Sequence, residues 1–130
     1  MKFSIAVMGA PYSSQAPLTA LRFAVAVIDA GHALHRVFFY SDGVYNGSKL
    51  IIPPQDEINV NEAWCAFSRE HDTELVVCIA SALRRGMLDQ AEADRYEKTV
   101  HNLAPEFVVA GLGQLIDAGL ESDRLVTFNP

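Results

Sequence analysis

Cys78 is the residue whose type and position best suit covalent chemistry. It lies at or near the end of the apolar run 74–80, immediately before a short predicted helix at 81–86. Backbone N–H groups at a helix start favour a thiolate over a thiol, and a thiolate attacks the outer sulfur of a persulfide. Arg84 and Arg85 follow within two turns and would add positive potential. An inert core cysteine in an apolar strand is the alternative interpretation, and it stays open.

Cys65, the second cysteine, gives a weaker signal. It stands beside Trp64 on a predicted helix and has no partner at C-x-x-C spacing, so we predict neither a redox motif nor a zinc site there. We interpret it as a cysteine on the flank of a helix and leave a pairing with Cys78 open. The His, Cys and Asp residues show no metal-ligand spacing. We therefore expect no metal and no cofactor.

The segment 38–46 is a further candidate. An apolar strand runs into a glycine turn at 41–43 and then into Tyr45 and Asn46. One interpretation is a core strand followed by an ordinary turn. The other is a loop at the same sheet edge as Cys78, which shapes its pocket or a subunit contact. On this second interpretation Tyr45 and Asn46 are candidate binding residues.

The glycines argue against a dinucleotide site. Only Gly9 follows the first predicted strand, and Gly111-Leu112-Gly113 before the last helix is not completed, because Ile116 stands where a third glycine is required. A nucleotide- or small-ligand-binding domain is therefore the weakest function hypothesis. Its remaining form is a small anion at that helix start.

The composition is that of an acidic chain with enough apolar residues for a core. It has 130 residues, of which 50% are hydrophobic, and a net charge of -6. Phosphate contacts need clustered Lys and Arg, so direct nucleic-acid binding is disfavoured. We find no secretory signal, no stretch that would span a membrane, and only two cysteines. These features predict a cytoplasmic protein in a reducing setting.

Short apolar runs alternate with helical patterns along the chain. The strands and helices that they predict must position the candidate site residues. We predict strands at 3–8, 34–40, 74–80, 107–110 and 124–128. The alternation predicts one α/β domain over 1–130, a three-layer sandwich with a mostly parallel sheet of about five strands and helices on both faces. Sites in such sheets form at the carboxyl ends of the strands.

Capping signals set the predicted helix starts. The first helix begins at Ser13 or Ser14, with Pro17 in its first turn, and ends at Gly31. Further helices begin at the capping pairs Asn59 with Glu62 and Asp89 with Glu92, and the last covers 112–121. The predicted apolar stripes are Leu18, Leu21, Val25 and Ile28 in the first helix, and Val60, Ala63, Trp64 and Phe67 in the second.

The chain resembles the DsrE/TusD family of sulfur-relay proteins over essentially its whole length. The matching segments, in order, are Gly9-Ala10-Pro11-Tyr12, Gly31-His32, Val37-Phe38-Phe39-Tyr40, Gly43-Val44-Tyr45-Asn46, Val77-Cys78-Ile79-Ala80, Arg84-Arg85-Gly86, Gly111-Leu112-Gly113-Gln114-Leu115 and Asp123-Arg124-Leu125-Val126. The polar stretch 89–102 matches least. The resemblance implies a DsrE/F-like fold and a persulfide-carrying cysteine, and Cys78 falls at its place.

The resemblance also implies partners. Such subunits assemble with two related small subunits, TusB/TusC-like or DsrH/DsrF-like, as a heterohexamer. A TusD-like member relays sulfur from a TusA-like donor to a TusE-like acceptor, towards 2-thiolation of the wobble uridine of tRNA. A DsrE-like member serves oxidative sulfur metabolism instead. A non-catalytic assembly subunit is the third role, and deep burial of the Cys78 sulfur would favour it.

Overall fold

A parallel five-stranded sheet forms the centre of the molecule. The computed structural model describes residues 1–130, with strand order β4-β3-β2-β1-β5. All four strand pairings are parallel. The strands are β1 Lys2–Val7, β2 Ala33–Phe39, β3 Glu74–Cys78, β4 Phe107–Ala110 and β5 Arg124–Phe128. The helices are α1 Ala16–Asp29, α2 Val60–His71, α3 Ile79–Arg84, α4 Gln90–Arg95 and α5 Gly113–Glu121, with a 3-10 helix at Ser41–Gly47.

The two faces of the sheet are covered unequally. Strand side chains alternate between faces, so Val37 and Phe39 of β2 join the main core, whereas Phe38 points to the other side. Helices α1 and α2 contribute to the main core, and the nine-residue α5 packs on the opposite face. The predicted α/β fold with helices on both faces is confirmed.

The third strand is shorter than predicted. It ends at Cys78, and Ile79 already begins α3. An apolar run such as 74–80 has no periodicity that separates the end of a strand from the first turn of a buried helix. The second strand likewise covers Ala33–Phe39 rather than 34–40, and the predicted turn at 41–43 is the start of the 3-10 helix.

The start and the buried stripe of α1 also differ from prediction. Gln15 occupies the N-cap position without a side-chain cap, although the Ser14 Oγ accepts a hydrogen bond from the backbone N–H of Ala16. Val25 is exposed, while Ala20 and Ala24 are fully buried. Small residues let the helix approach the sheet closely, so alanines occupy the contact line that we had assigned to larger side chains.

The other capping predictions are confirmed. The Asn59 side chain accepts the N–H of Glu62 at 3.1 Å, and Asp89 accepts that of Glu92 at 2.8 Å. Gly31 follows α1 with a φ of +85°, the left-handed conformation that favours glycine after a helix. None of the helices has the length and apolar character needed to cross a bilayer.

Candidate functional site around Cys78

Cys78 lies at the junction between β3 and α3. It is the last residue of the strand and the N-cap residue of the helix, with extended backbone angles of φ -64° and ψ 124°. Its side chain makes no capping hydrogen bond to the first turn of α3. The structure therefore places Cys78 at the carboxyl edge of a parallel sheet, where sites in this class of fold occur.

The Cys78 side chain belongs to the smaller core under α5. It clusters with Phe38 and Val76, and the half-buried Tyr40, Ala110 and Leu115 pack against them. Only 1% of Cys78 is exposed. It also lines none of the main surface cavities. In the isolated chain, this thiol is shielded from solvent by half-buried apolar side chains.

The 3-10 helix closes the carboxyl edge of the sheet beside Cys78. The N–H of Tyr40 donates to the Val7 carbonyl at 3.0 Å, and the helix then passes directly over the end of β1. At Gly43 an added Cβ would lie 2.0 Å from the Val7 carbonyl oxygen. A residue without a side chain is therefore required at this position.

Asn46 fastens that helix to the first loop. It is fully buried, and its Nδ2 donates to the carbonyls of Gly43 at 2.8 Å and Gly9 at 3.1 Å. Its own backbone carbonyl accepts a hydrogen bond from Asn61 of α2. Tyr45 is half-buried against the main core. Of the two predicted binding residues, Asn46 thus holds the loop layer together and Tyr45 packs against the main core, and neither belongs to the Cys78 cluster.

Arg85 joins α3 to the 3-10 helix. Its Nε donates to Asp42 at 2.8 Å, and another guanidinium nitrogen donates to the Ser81 carbonyl at 3.2 Å. The Ser81 hydroxyl in turn accepts the N–H of Ser41 at 3.0 Å. Arg84 is exposed and makes no ion pair. Both arginines stand at the far end of α3, about 9 Å along the helix from Cys78.

Arg36 anchors α5 over the Cys78 face, a role that our sequence analysis missed. This buried side chain donates to Glu74 of β3 and, at 2.8 Å each, to Asp117 and the Gln114 carbonyl of α5. The hydrogen bond from Arg36 is the largest cause that lowers the pKa of Asp117, with a second from His35. The available signal was an arginine, preceded by His35, inside a strand whose other residues are apolar, since a buried charge requires partners.

Cys65 lies on the other side of the sheet. It is buried in the main core, with its sulfur 3.9 Å from the Asn61 side-chain oxygen. Burial, reinforced by a hydrogen bond to Glu106, raises the pKa of Cys65 to about 12. Both cysteines are free. Cys65 is therefore a thiol at neutral pH, and the sheet separates it from Cys78.

Metal-binding geometry is missing from the whole chain. No group of three or more His, Cys, Asp or Glu side chains is placed to hold an ion.

Comparison with known proteins places the chain in a family. The model of the DsrE/DsrF-like family matches residues 1–128. Sulfurtransferase TusD of Salmonella dublin is 44% identical over 128 residues, with 98% of this chain and 100% of that protein covered. DsrE of Allochromatium vinosum is 43% identical, with 98% of each covered. The YchN crystal structure from E. coli, 23% identical, has the same fold, with a TM-score of 0.79 over 98% of this chain and 99% of that one. The chain belongs to the DsrE/DsrF-like family.

Proposed function

We propose that this chain is a sulfurtransferase that holds sulfane sulfur as a persulfide on Cys78 and passes it to a partner protein. Sulfurtransferase activity follows from the family, whose TusD relatives carry that name at 44% identity. The observation behind the choice of residue is the position of Cys78 at the β3–α3 junction, on the carboxyl edge of the sheet. Cys65 is a poor alternative because its pKa of about 12 keeps it protonated.

The chemistry needs only the thiolate. Once a donor has opened the way to it, Cys78 loses its proton to the water that enters and attacks the outer sulfur of the donor persulfide. A new S–S bond forms as the donor's S–S bond breaks, and the donor leaves as a thiolate. The reverse attack by an acceptor thiolate on the outer sulfur of the Cys78 persulfide completes the transfer. No net oxidation takes place, so neither metal nor cofactor is required.

The burial of Cys78 means that a donor must first gain access. Leu115 of α5 and Ala110 of β4 pack against its cluster. Arg36 donates hydrogen bonds to Gln114 and Asp117 of α5, and these bonds fix the position of the helix over the sheet. Gly111 lies just before this helix and Gly113 is its first residue, and a Cβ at either glycine would meet nothing within 4 Å. We infer that a partner reaches the sulfur past this open segment, with Tyr45, Arg84 and Arg85 around the same edge of the sheet. Asn46 is fully buried and does not line this route.

The family resemblance suggests the setting in which this transfer operates. We propose a cytoplasmic relay with a TusA-like donor and a TusE-like acceptor, which supplies sulfur for tRNA wobble 2-thiouridine. The chain would work as one domain over 1–130, in a heterohexamer with TusB/TusC-like subunits. The net charge of -6 supports a step that does not bind tRNA directly. DsrE-like service in oxidative sulfur metabolism, with DsrH/DsrF-like subunits, is the alternative, since DsrE of Allochromatium vinosum is nearly as similar.

Intact-mass spectrometry tests the proposal. The protein is incubated with glutathione persulfide, and the expected product is the chain plus one sulfur atom. Cys78→Ser should abolish this gain, whereas Cys65→Ser, the matched control, should load like the wild type. Equal loading of the wild type and of Cys78→Ser would refute a carrier role for Cys78.

A non-catalytic assembly subunit is the second candidate, and the burial of Cys78 favours it. This role predicts that Cys78 stays unmodified even when the TusB/TusC-like subunits and a loaded donor are present. Persulfide on Cys78 in that reconstituted mixture would exclude the assembly-only role.

A further inference from the structure

Cys78 stands between Tyr40 and Ala110 at the carboxyl edge of the sheet. In the parallel register Phe39 of β2 pairs with Val77 of β3, and Tyr40, the next residue, is still extended, with φ -129° and ψ 155°. On the other side, Cys78 pairs with Ala110 of β4. Neighbouring strands lie about 4.8 Å apart, and side chains at matching positions point to the same face. Tyr40 is therefore the immediate neighbour of the nucleophile on β2.

Apart from the thiol itself, Tyr40 carries the only polar side chain around Cys78. The other residues of this cluster are all apolar: Phe38, Val76, Ala110 and Leu115. Tyr40 packs against them and makes hydrogen bonds through its backbone, whereas its hydroxyl makes none within the chain. That hydroxyl is also not fully buried, so it reaches the surface. The phenol therefore lines the way from solvent to the sulfur and has a free hydrogen-bond donor.

The other polar side chains on α3 are engaged elsewhere. The Ser81 hydroxyl accepts the N–H of Ser41 at 3.0 Å, and Arg85 donates to Asp42 at 2.8 Å. The exposed Arg84 stands at the far end of the helix. None of the three makes a hydrogen bond to the sulfur of the nucleophile. The charge-stabilising group that the sequence led us to expect from the arginines must therefore come from a different residue.

A persulfide on Cys78 needs such a group more than the free thiol does. The second sulfur lies about 2 Å beyond the first and carries the negative charge when the persulfide ionises. A charge among apolar side chains is costly unless a hydrogen-bond donor meets it. A tyrosine hydroxyl is a donor at neutral pH, and it extends farther from the backbone than a cysteine sulfur. Its reach therefore suits the second sulfur rather than the first.

We propose that Tyr40 is a catalytic residue, whose hydroxyl donates a hydrogen bond to the terminal sulfur of the Cys78 persulfide. This inference rests on the proposed carrier role of Cys78. The hydrogen bond stabilises the ionised persulfide and so favours the loaded chain over the unloaded one, which has no second sulfur. Tyr40 keeps its proton and exchanges no electrons. The covalent step is unchanged, since one S–S bond forms on Cys78 as the donor's S–S bond breaks.

The equilibrium of sulfur exchange with glutathione tests the proposal. Proteins with Cys65→Ser are equilibrated in mixtures of glutathione and glutathione persulfide, and intact mass gives the loaded fraction. Tyr40→Phe removes the hydroxyl and keeps the ring, so urea unfolding should not change. We expect its equilibrium constant for loading to be about tenfold lower, the effect of one hydrogen bond to a charged group. Tyr96→Phe, which removes an exposed hydroxyl at the end of α4, is the matched control and should load like the wild type.

The pH dependence of the same measurement separates the hydrogen bond from an effect of packing. The bond stabilises the ionised terminal sulfur, so the difference between Tyr40→Phe and the wild type should shrink as pH falls and the persulfide becomes protonated. A difference that stays constant with pH would overturn the proposal. Equal loading of the two proteins would also overturn it and leave the carrier role of Cys78 intact. A wild type that takes up no sulfur would overturn both.

Discussion

Gly43 lies so close to β1 that one added methyl group should dislodge the 3-10 helix. In Gly43→Ala the new Cβ would stand 2.0 Å from the carbonyl oxygen of Val7 and 2.9 Å from its carbonyl carbon. Ordinary C···O contacts begin near about 3.3 Å, so the helix must move by at least about 1 Å. The opposing atoms belong to the backbone of a central strand and cannot rotate away.

The cost follows from the bonds that such a shift breaks. The hydrogen bonds from Tyr40 to the Val7 carbonyl and from Asn46 to the Gly9 carbonyl span this gap, at 3.0 and 3.1 Å. Overpacking costs about 1–3 kcal/mol, and a buried polar group left without its partner costs about 1–3 kcal/mol. We expect Gly43→Ala to lower the free energy of unfolding by roughly 2–6 kcal/mol, a large part of the 5–15 kcal/mol typical of a domain.

Urea unfolding measures this change directly. With a slope of about 1–3 kcal/mol/M, the midpoint should fall by roughly 1 M or more. Gly111→Ala is the matched control, because a Cβ there meets nothing within 4 Å, and it should change stability by less than about 0.5 kcal/mol. Equal urea midpoints for Gly43→Ala and Gly111→Ala would show that the 3-10 helix does not pack against β1 as described.

Two further predictions concern protonation. The hydrogen bond from Arg36 lowers the pKa of Asp117 below its ordinary 3.8, so this carboxylate stabilises the fold above that pH and loses the effect as pH falls through the lowered pKa. Asp117→Asn should therefore approach the wild type in urea stability as pH drops below about 4; a constant difference would contradict this. A pKa of about 12 makes the Cys65 thiolate about 10³ times scarcer than one with a pKa of 9.0. When the Cys78→Ser protein is treated with iodoacetamide at pH 8, mass spectrometry should show no label on Cys65. Rapid labelling of Cys65 would contradict its buried environment and raised pKa.

The sheet could be predicted from the sequence because each buried strand is a short apolar run between turn residues. The end of β3 could not, since Ile79 and Ala80 continue the apolar run into α3. This difference of two residues matters for the site. It moves Cys78 from within a strand to the N-cap position of a helix, so its local backbone became known only with the structure.

The side of a helix that faces the sheet was harder to predict than the helix itself. In α1 the pattern favoured Val25, but the contact is made by Ala20 and Ala24. Hydrophobicity ranks large side chains first, whereas close packing against a sheet selects small ones. Asn46 was a candidate for binding because of its position, yet it is fully buried and its side-chain nitrogen makes two hydrogen bonds inside the fold. The hydrogen bond to Gly9 joins residues 37 positions apart, so no local sequence pattern predicts it.

Leu115 and Ile116 are adjacent in sequence but serve opposite sides of α5. Leu115 packs against the Cys78 cluster, and Ile116 points outward. A change at Cys78 therefore leaves the exposed side of α5 as it is. It follows that oligomeric state cannot distinguish a sulfur carrier from an assembly subunit. Only the chemistry of the Cys78 sulfur separates the two roles, because assembly does not require a reactive thiol.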